Sequence, residues 1–560
     1  MKKLLLLGLA FFTLACSSTD SIQENNQSSE YDIVIYGATS GGIAAAIQAS
    51  RMDKSVLLIE PYQRIGGMTT GGLGQTDIGN KSAIGGISRE FYQNIRKYYE
   101  DSANWEWQDR QEYQDGGQTR TEEGEDAMWT FEPSAALDVY EEMIAAENIE
   151  LVIGKKLNRE EGVTKDGTSI TQIEMEDGTT YRGKMFIDAT YEGDLMAAAG
   201  VNYFVGREAN SMYGETYNGV QLLEGHQFPD GIDPYVTPGD PESGLVWGIS
   251  EAELAEQGSG DDLVQAYNFR ICLTNDEENR IPITEPENYD ASRYELLPRL
   301  IDAQPNVSSA LQYFIWSKMP NDKTDINNRG GFSTDMINWS HDYPEASYEE
   351  RDSIIRAHVD YTKGLLYFFA TDSRIPASFR EEISQWGYPK DEYEENGNWS
   401  PQLYVREARR LIGAYVMTQA NCVGEEEIND PVGLAAYTMD SHNCQRIVVE
   451  SMRGVPAGNR AQVKNEGNVE VGGFPPYPIS YRAIIPKPEE ATNLLVPVCL
   501  SASHIAFGSI RMEPVFMVLG QSAATAAAMA IDNQQPVQEL DYSALRSKLE
   551  EDQQRLVHQN

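Results

Sequence analysis

Residues 31–60 constrain the fold most, because they have the pattern of a strand, a glycine turn, a helix and a second strand. The apolar and β-branched run at 31–36 ends at Gly37, as expected of a buried parallel strand that enters a tight turn. Residues 43–51 are rich in Ala and Ile at helical spacing, and 55–60 are again apolar. The segment therefore predicts a βαβ unit of an α/β protein.

The turn of this unit has the chemistry of a phosphate site. In the Gly37–Gly42 sequence G-A-T-S-G-G, the first glycine permits the tight turn and Gly42 permits close packing of the helix on the strand. The helix N-terminus offers N–H groups to a pyrophosphate, and Glu60 would hold a ribose hydroxyl. Thr39 occupies the middle glycine position of the G-x-G-x-x-G pattern. We predict a dinucleotide site that includes Gly37, Thr39, Gly42 and Glu60.

A second glycine-rich segment favours FAD over NAD. Positions 64–77 resemble the R-x-G-G-x-x-[ST] sequence that follows the second strand in flavoproteins with two dinucleotide-binding domains. Its many glycines let the backbone lie against a flat ring or a phosphate without Cβ clashes. We expect Arg64, Gly66, Gly67 and Thr70 to contact FAD.

Later segments complete the same predicted domain. Residues 150–153 predict a strand near the adenine, and 174–181 predict a hairpin with Asp-Gly at its turn. Residues 184–190 predict a further buried strand, which resembles the Ala-Thr-Gly strand end of these flavoproteins. Thr190, at its end, and Asp194, in the following turn, are expected to contact the cofactor.

The C-terminal part predicts a closing strand at 493–498 and a long Ala-rich helix at 515–531. In FAD-binding domains a helix of this kind stabilises negative charge on the reduced ring through its N-terminus. Glu513 precedes the helix and is expected at the cofactor. The loop before it places His504 as a candidate base for a hydroxyl proton and Arg511 as a substrate anchor. Structural roles, with His504 bonded to backbone and Arg511 paired with Glu513, are the alternative.

Residues 201–475 contain no second glycine-rich nucleotide turn, so no separate NAD(P)H site is expected. This region predicts a substrate domain. It has a predicted helix on which positions 406 and 410 share a face, and this helix carries three arginines: Arg406, Arg409 and Arg410. Arginine–glutamate pairs that clamp helices would explain the same pattern. His442 and Arg482 are further candidate catalytic residues, with Arg482 as an alternative substrate anchor, because neither has a partner nearby in the sequence.

Three segments, 37–77, 406–410 and 504–521, are together similar to the bacterial FAD-dependent oxidoreductase family that has G-G-M-x-T-x-G-L and R-M-E-P segments. The resemblance covers nearly all of the chain after residue 31. Some relatives carry polysaccharide-lyase labels, although a flavin site supplies no evident eliminating base. The resemblance implies the cofactor FAD and the fold, but not the substrate.

The predicted fold is α/β, with a discontinuous Rossmann-like FAD-binding domain and an inserted α+β substrate domain. We expect these units in chain order: the FAD domain's first part at 31–200, the substrate or cap domain at 201–475, the FAD domain's closing part at 476–535 and a peripheral C-terminal helix at 536–560.

The first 30 residues resemble an export signal followed by a tether. Two lysines precede a short apolar run, and Cys16 follows Ala15 as in a bacterial lipobox, with Thr13 at the usual leucine position. We predict a lipoprotein signal peptide at 1–16, lipidation of Cys16 and a polar tether at 17–30. The protein would then be anchored to the outer membrane, on its periplasmic or surface face, by this lipid alone. An ordinary cleaved signal peptide is the alternative.

The net charge argues against a nucleic-acid-binding protein, and the cysteine spacing argues against a metal-binding one. With 44 basic and 87 acidic side chains, the net charge of -43 repels nucleic acid and anionic lipid headgroups. No C-x-x-C pair or histidine doublet is present, so no metal site is predicted. The remaining cysteines leave open a Cys422–Cys444 disulfide or buried free thiols.

The functional prediction is an FAD-dependent oxidoreductase that oxidises a hydroxyl-bearing carbon of a carbohydrate or uronic acid outside the inner membrane. Its partners would be this small-molecule substrate and an electron acceptor that the sequence does not identify. One alternative is an FAD-dependent enzyme that cleaves glycosides by transient redox, and another is a non-catalytic glycan-binding lipoprotein. Amine and thiol substrates also remain open.

Overall fold

The computed structural model describes residues 30–450 and 461–558, so the predicted signal peptide and Cys16 lie outside the described residues. The strands are β1 (Glu30–Tyr36), β2 (Val56–Glu60), β3 (Ile149–Ile153), β4 (Val163–Asp166), β5 (Ser169–Glu174), β6 (Thr180–Asp188), β7 (Tyr203–Phe204), β8 (Arg280–Pro282), β9 (Phe314–Met319), β10 (Lys323–Asn328), β11 (Gly387–Pro389), β12 (Arg410–Leu411), β13 (Pro431–Ala435), β14 (Met439–Ser441), β15 (Gln445–Glu450), β16 (Ala461–Glu466), β17 (Val469–Val471), β18 (Tyr477–Ser480) and β19 (Leu494–Leu495). The helices are α1 (Ser40–Arg51), α2 (Gly67–Thr70), α3 (Gly86–Tyr98), α4 (Pro133–Ala145), α5 (Asp194–Ala198), α6 (Asn210–Tyr213), α7 (Leu296–Ala303), α8 (Tyr348–Thr371), α9 (Ala377–Ile383), α10 (Gln419–Cys422), α11 (His504–Ile510), α12 (Glu513–Asn533) and α13 (Tyr542–Glu551).

The main sheet has the strand order β3-β2-β1-β6-β5-β4, and β19 pairs with β6. Strands β3, β2, β1, β6 and β19 run parallel to one another, whereas β4 and β5 pair antiparallel and β5 pairs antiparallel with β6. The strand β1 lies between β2 and β6, with Ile33 opposite Val56 on one side and Met185 on the other. Its continuous apolar run fits a strand covered on both faces. The predicted α/β fold class is confirmed.

The helices α1 and α12 pack closely across small residues. A Cβ on Gly520 would lie 2.0 Å from the Gly41 carbonyl oxygen, so only glycine permits this approach. The helix α12 is long and apolar enough to cross a membrane, but 89% of its most apolar window is buried inside the fold. It is therefore a core helix that brings its N-terminus to the start of α1.

The region 201–475 supplies short antiparallel strand pairs and the 24-residue helix α8. Its pairs include β9 with β10, β8 with β11, β14 with β17 and β15 with β16. The helix α8 begins with a reciprocal capping box between Ser347 and Glu350. The proposed domain boundaries stay predictions.

Several local predictions can be compared directly with the structure. The hairpin at 174–181 is confirmed, since β5 and β6 pair on either side of Asp177 and Gly178. The predicted strand at 493–498 is reduced to Leu494–Leu495. The prediction that His504 lies in a loop is wrong, because it is the first residue of α11 and Ser503 caps this helix.

The predicted helix that carries Arg406, Arg409 and Arg410 is also wrong. Residues 405–409 have no regular structure, and β12 follows with two residues. The reason is that each arginine pairs with a distant carboxylate: Arg406 with Asp335, Arg409 with Asp194 and Arg410 with Glu208. The three carboxylates lie on separate segments far away in the sequence, and together these ion pairs prevail over local helix propensity.

The four cysteines at 272, 422, 444 and 499 are buried free thiols. Of the two alternatives that the sequence left open, the structure has the buried free thiols and not the Cys422–Cys444 disulfide.

Candidate functional site

The turn between β1 and α1 is closed by glycines and by Thr39. Gly37 has φ +101°, and a Cβ there would lie 2.7 Å from the Ala189 carbonyl carbon. A Cβ on Gly42 would lie only 1.8 Å from the Gly37 carbonyl oxygen. Thr39 caps α1, because its hydroxyl accepts from the Gly42 N–H at 3.3 Å and donates to the Ala189 carbonyl at 2.7 Å. Thr39 thus holds in place the turn that the missing glycine would otherwise shape.

Glu60 ends β2 as a buried carboxylate. Its oxygens accept hydrogen bonds from the backbone N–H groups of Ala38 at 2.9 Å and Tyr62 at 3.0 Å. Burial raises the pKa of Glu60 to about 7. A carboxylate can accept about four hydrogen bonds, so its remaining capacity fits the hydroxyls of a ribose. Together with the glycine turn, this donor and acceptor set fits the adenosine diphosphate half of FAD.

The segment 64–74 folds against the same turn. Gly66 and Gly67 have φ +92° and +54°, and a Cβ on Gly67 would lie 2.2 Å from the Tyr191 hydroxyl oxygen. Arg64 donates from Nε to the Thr70 carbonyl at 3.1 Å, and the Thr70 hydroxyl donates to the Ile65 carbonyl at 2.5 Å. The predicted residues therefore shape a tight backbone cradle in which a side chain at either glycine would be strained.

Glu513 joins three parts of the predicted cofactor site. Its carboxylate accepts from the hydroxyls of Ser40 at 2.5 Å, Thr69 at 3.0 Å and Tyr191 at 2.8 Å. Burial raises the pKa of Glu513 above its usual range. The start of α1, the G-G segment and the N-terminus of α12 are thus held together by one acidic side chain. Arg511 is not among its hydrogen-bond partners.

Thr190 and Asp194 follow β6 and have different surroundings. The Thr190 hydroxyl donates to Asp188 at 2.7 Å and accepts from the Gly193 N–H at 3.0 Å, which closes the turn. The Asp194 carboxylate instead pairs with three arginines: Arg351 at 2.7 Å, Arg409 at 2.8 Å and Arg159 at 3.3 Å. Burial alone would raise the pKa of Asp194, but these guanidinium groups lower it to about 2. Its carboxylate is therefore engaged by protein groups, whereas we predicted a cofactor contact.

His504 is 1% exposed and both of its ring nitrogens are engaged. The Nδ1 atom lies 2.7 Å from Glu407 Oε2, and Nε2 lies 2.9 Å from the Ser441 hydroxyl oxygen. Burial alone would raise the pKa of Glu407, but His504 holds it below the usual range. In this arrangement no ring nitrogen of His504 is free to take a substrate proton.

His442 has a more suitable geometry for a base. Its Nδ1 lies 2.8 Å from Asp335 Oδ2, and its Nε2 lies 3.7 Å from Asp440 Oδ2, beyond hydrogen-bond distance. Arg511 pairs with the same Asp440 at 3.2 Å and donates to the Tyr404 hydroxyl at 3.1 Å. The structure thus brings His442 and Arg511 together around Asp440, as the sequence could not show.

Two of these carboxylates were missed by the sequence analysis. Burial alone would raise the pKa of Asp440 and of Asp335, but His442 and the neighbouring arginines lower both. Asp440 could have been found, because it lies two residues before His442 in the short strand β14, where alternate residues share a face. Asp335 has no such signal, since 107 positions separate it from His442.

Arg482 shares none of these partners. Its side chain is 46% exposed, pairs with Asp430 at 2.9 Å and lies over the Tyr415 ring at 4.9 Å. The structure does not bring it together with the other candidate catalytic residues. In the part of the chain that is described, no three His, Cys, Asp or Glu side chains are grouped so as to hold a metal ion.

Comparisons with known proteins identify the family. The model of the FAD dependent oxidoreductase family matches residues 32–549. A comparison with curated protein sequences found no match.

Similar solved structures have low identity and partial coverage. T. acidophilum thioredoxin reductase is 18% identical over 28% of this chain and 34% of its own, with a TM-score of 0.16. The thioredoxin reductase from Streptococcus pyogenes is 19% identical over 33% and 40%, with a TM-score of 0.17. Anhydrotetracycline hydroxylase from Streptomyces rimosus is 12% identical over 41% and 44%, with a TM-score of 0.20. The chain therefore spans less than half the length of each of these structures.

The family match spans nearly the whole described chain and includes each segment of the predicted cofactor site. It confirms the predictions of the cofactor FAD and of an oxidoreductase. The chain belongs to the FAD dependent oxidoreductase family.

Proposed function

We propose that this oxidoreductase oxidises a hydroxyl-bearing carbon of a carbohydrate or uronic acid. The observation that carries the proposal is an excess of buried polar atoms around His442 that lack a protein partner. They are the Oδ1 atoms of Asn268, Asn328 and Asn443 and the Nε atoms of Arg406 and Arg511. Buried polar groups without partners are rare in native proteins and call for an explanation. A polyhydroxylated ligand would supply the missing hydrogen bonds.

Hydrogen bonds connect the three asparagines of this set to His226 and to the neighbour of Asp335. The Asn328 amide nitrogen lies 3.3 Å from His226 Nδ1, and the Asn443 amide donates to the His226 carbonyl at 3.4 Å. The Asn268 amide donates to Thr334, the neighbour of Asp335. Amide, guanidinium and carboxylate groups of this kind bind sugar hydroxyls in either donor or acceptor sense.

The proposed base is His442. With Nδ1 2.8 Å from the Asp335 carboxylate, Nε2 is the ring nitrogen that can take a hydroxyl proton. Arg511 would fix a carboxylate or hydroxyl of the substrate through its unpaired Nε–H. Bound FAD supplies a two-electron hydride acceptor. His504, which we first predicted as the base, would instead position Ser441 at the end of β14, next to His442.

Anaerobic bleaching of the flavin across a panel of sugars, uronates, amines, thiols and hydroxy acids tests the proposal. We expect sugars or uronates to bleach it. His442→Gln should slow bleaching by roughly 10²- to 10⁴-fold without loss of bound FAD. His341→Gln is the matched control, because this half-buried histidine accepts from the Val264 N–H at 3.3 Å and is not one of the proposed catalytic residues. Bleaching by amines or thiols alone would refute the substrate class, and an unchanged rate in His442→Gln would refute the role of this residue.

We also propose export and lipidation at Cys16, on the basis of the N-terminal sequence. The test is incorporation of labelled fatty acid in the native bacterium and in a Cys16→Ala variant. Labelled wild type in the outer-membrane fraction with an unlabelled variant supports the proposal. Equal labelling of both proteins, or none in either, would contradict it.

A further inference from the structure

A surface cavity of about 720 Å³ lies outside the cluster around His442. It is formed by three segments, 79–80, 436–438 and 473–476, together with Gln118 and His558. Its volume is within the range of ligand sites, which is about 300–1,000 Å³.

The lining of this cavity carries no formal charge from Asp, Glu, Lys or Arg among the described residues. It consists of glycine, alanine, threonine, proline, amide, aromatic and histidine side chains. This is unusual in a chain with 87 acidic and 44 basic residues. A cavity of about 850 Å³ beside α1, for comparison, is lined by Arg51, Glu90 and Lys548 among others.

Tyr437 connects the cavity to the buried cluster. It lines the cavity, and its hydroxyl donates to Asp77 at 3.4 Å. The Tyr437 carbonyl accepts from the Ser509 hydroxyl at 2.6 Å, which fixes the backbone at this point. The chain then enters β14, and only two residues separate Tyr437 from Asp440, the partner of Arg511. The cavity and the proposed catalytic residues therefore share one wall.

The groups in the cavity match the chemistry of a sugar ring. Phe474 and Tyr437 offer aromatic surface against which the C–H face of a pyranose can pack. Asn80 and Gln118 offer amides, which can both donate to and accept from hydroxyls. The lining has no lysine or arginine, and Asp77 lies behind Tyr437. A uronate carboxylate that entered the cavity would therefore lose hydration without gaining a counter-ion, so a neutral sugar fits better.

We propose that this cavity is a subsite for a neutral sugar unit, next to the unit that is oxidised. The inference rests on the proposed carbohydrate oxidation and narrows it, because the substrate is then an oligosaccharide with at least one neutral residue beyond the reacting ring. Phe474 and Gln118 set the preference for oligosaccharides over monosaccharides.

Binding can be measured separately from turnover. Chemically reduced holoenzyme, kept anaerobic, cannot accept hydride, so calorimetric titration with neutral tetrasaccharides (cellotetraose, maltotetraose and xylotetraose) reports binding alone. We expect at least one to bind, and Phe474→Ala to weaken it roughly tenfold, as for the loss of one aromatic contact. Tyr213→Ala, which removes an exposed tyrosine on α6, should have no effect. Tetragalacturonate is the charged probe.

The outcomes distinguish this inference from the proposed function. Neutral tetrasaccharides that bind wild type but bind Phe474→Ala more weakly support the subsite, even if no sugar bleaches the flavin. If sugars bleach the flavin but neutral tetrasaccharides bind no better than monosaccharides, the subsite is refuted and the proposed oxidation stands. Preferential binding of tetragalacturonate, or equal binding to wild type and Phe474→Ala, would also overturn the inference.

Discussion

His504 and Glu407 are joined by a 2.7 Å hydrogen bond in the interior, where each residue is 1% exposed. The same glutamate accepts from the side-chain Nε2 of Gln265 at 2.7 Å, and the side-chain Oε1 of Gln265 accepts from the His442 backbone N–H at 3.1 Å. On the other side, His504 contacts Ser441, the chain neighbour of His442. The His504–Glu407 pair therefore fixes the backbone of His442, the proposed base, and the side chain of its neighbour Ser441.

Glu407→Gln should disturb catalysis through His442 rather than directly. We expect flavin reduction to slow roughly 10- to 100-fold with FAD retained, because small displacements of a catalytic group have effects of this size. The measurement is a double-mutant cycle with His442→Gln, followed by stopped-flow flavin bleaching. If Glu407 acts by positioning, its replacement should cost little in the His442→Gln background. Fully additive effects would contradict a positioning role.

FAD affinity should depend on pH through Glu60. In the apoprotein the pKa of Glu60 is about 7, above its ordinary value of 4.5, so the folded state favours the protonated acid. The contribution of Glu60 to apoprotein stability is therefore present below about pH 4.5 and lost as the pH rises through about 7. Ribose hydroxyls donate best to the ionised form, so FAD binding should weaken as the pH falls below about 7.

The measurement is the dissociation constant of FAD from apoprotein between pH 5 and 8. Each pH unit below the pKa should weaken binding by at most roughly tenfold. Glu60→Gln has no titrating carboxyl, and its weaker binding should be constant over this range. A wild-type profile that is as flat as that of Glu60→Gln would show that this carboxylate does not hold the ribose.

Gly42→Ala should prevent FAD binding and destabilise the protein. The new methyl group would lie 1.8 Å from the Gly37 carbonyl oxygen, so the turn or α1 must shift. Overpacking of this kind costs about 1–3 kcal/mol. Gly116→Ala is a matched control, because nothing lies within 4 Å of a Cβ there and its φ is -153°. Flavin absorbance and thermal unfolding would measure both effects; a flavin-loaded Gly42→Ala protein would contradict the assignment of this turn.

The sequence predicted the first βαβ unit better than the surroundings of His442, for a physical reason. Gly37, Gly42 and Glu60 belong to one local βαβ unit, whose hydrophobic periodicity and turn chemistry are visible in 30 consecutive residues. The cluster around His442 depends instead on pairings over long sequence distances. His442 pairs with Asp335 across 107 positions and His504 pairs with Glu407 across 97.

Partners that are distant in the sequence also explain why the predicted helix with Arg406, Arg409 and Arg410 was wrong. Charge spacing alone suggested that 406 and 410 share a helical face. Each arginine in fact finds a buried carboxylate on a different element, and no local pattern predicts such partners. The choice of His504 over His442 as base had the same origin, since only the folded chain shows which ring has both nitrogens engaged.

Asp194→Asn should separate the structural role of this residue from the cofactor contact that the sequence predicted. The change leaves Arg351, Arg409 and Arg159 without their shared carboxylate in the interior. Removing one partner of a buried ion pair costs about 3–5 kcal/mol, so we expect a large drop in the free energy of unfolding. The folded fraction should still bind FAD.

Glu345→Gln is the matched control, because Glu345 pairs with the same Arg409 but its side chain is 55% exposed, where an ion pair contributes about 0–1 kcal/mol. The pH dependence gives an independent check. The pKa of Asp194 is about 2, below its ordinary value of 3.8, so its stabilisation is present above about pH 4 and is lost as the pH falls through about 2. Denaturant unfolding of wild type and Asp194→Asn should therefore converge in this acidic range. A variant that keeps wild-type stability but loses its flavin would instead place Asp194 at the cofactor.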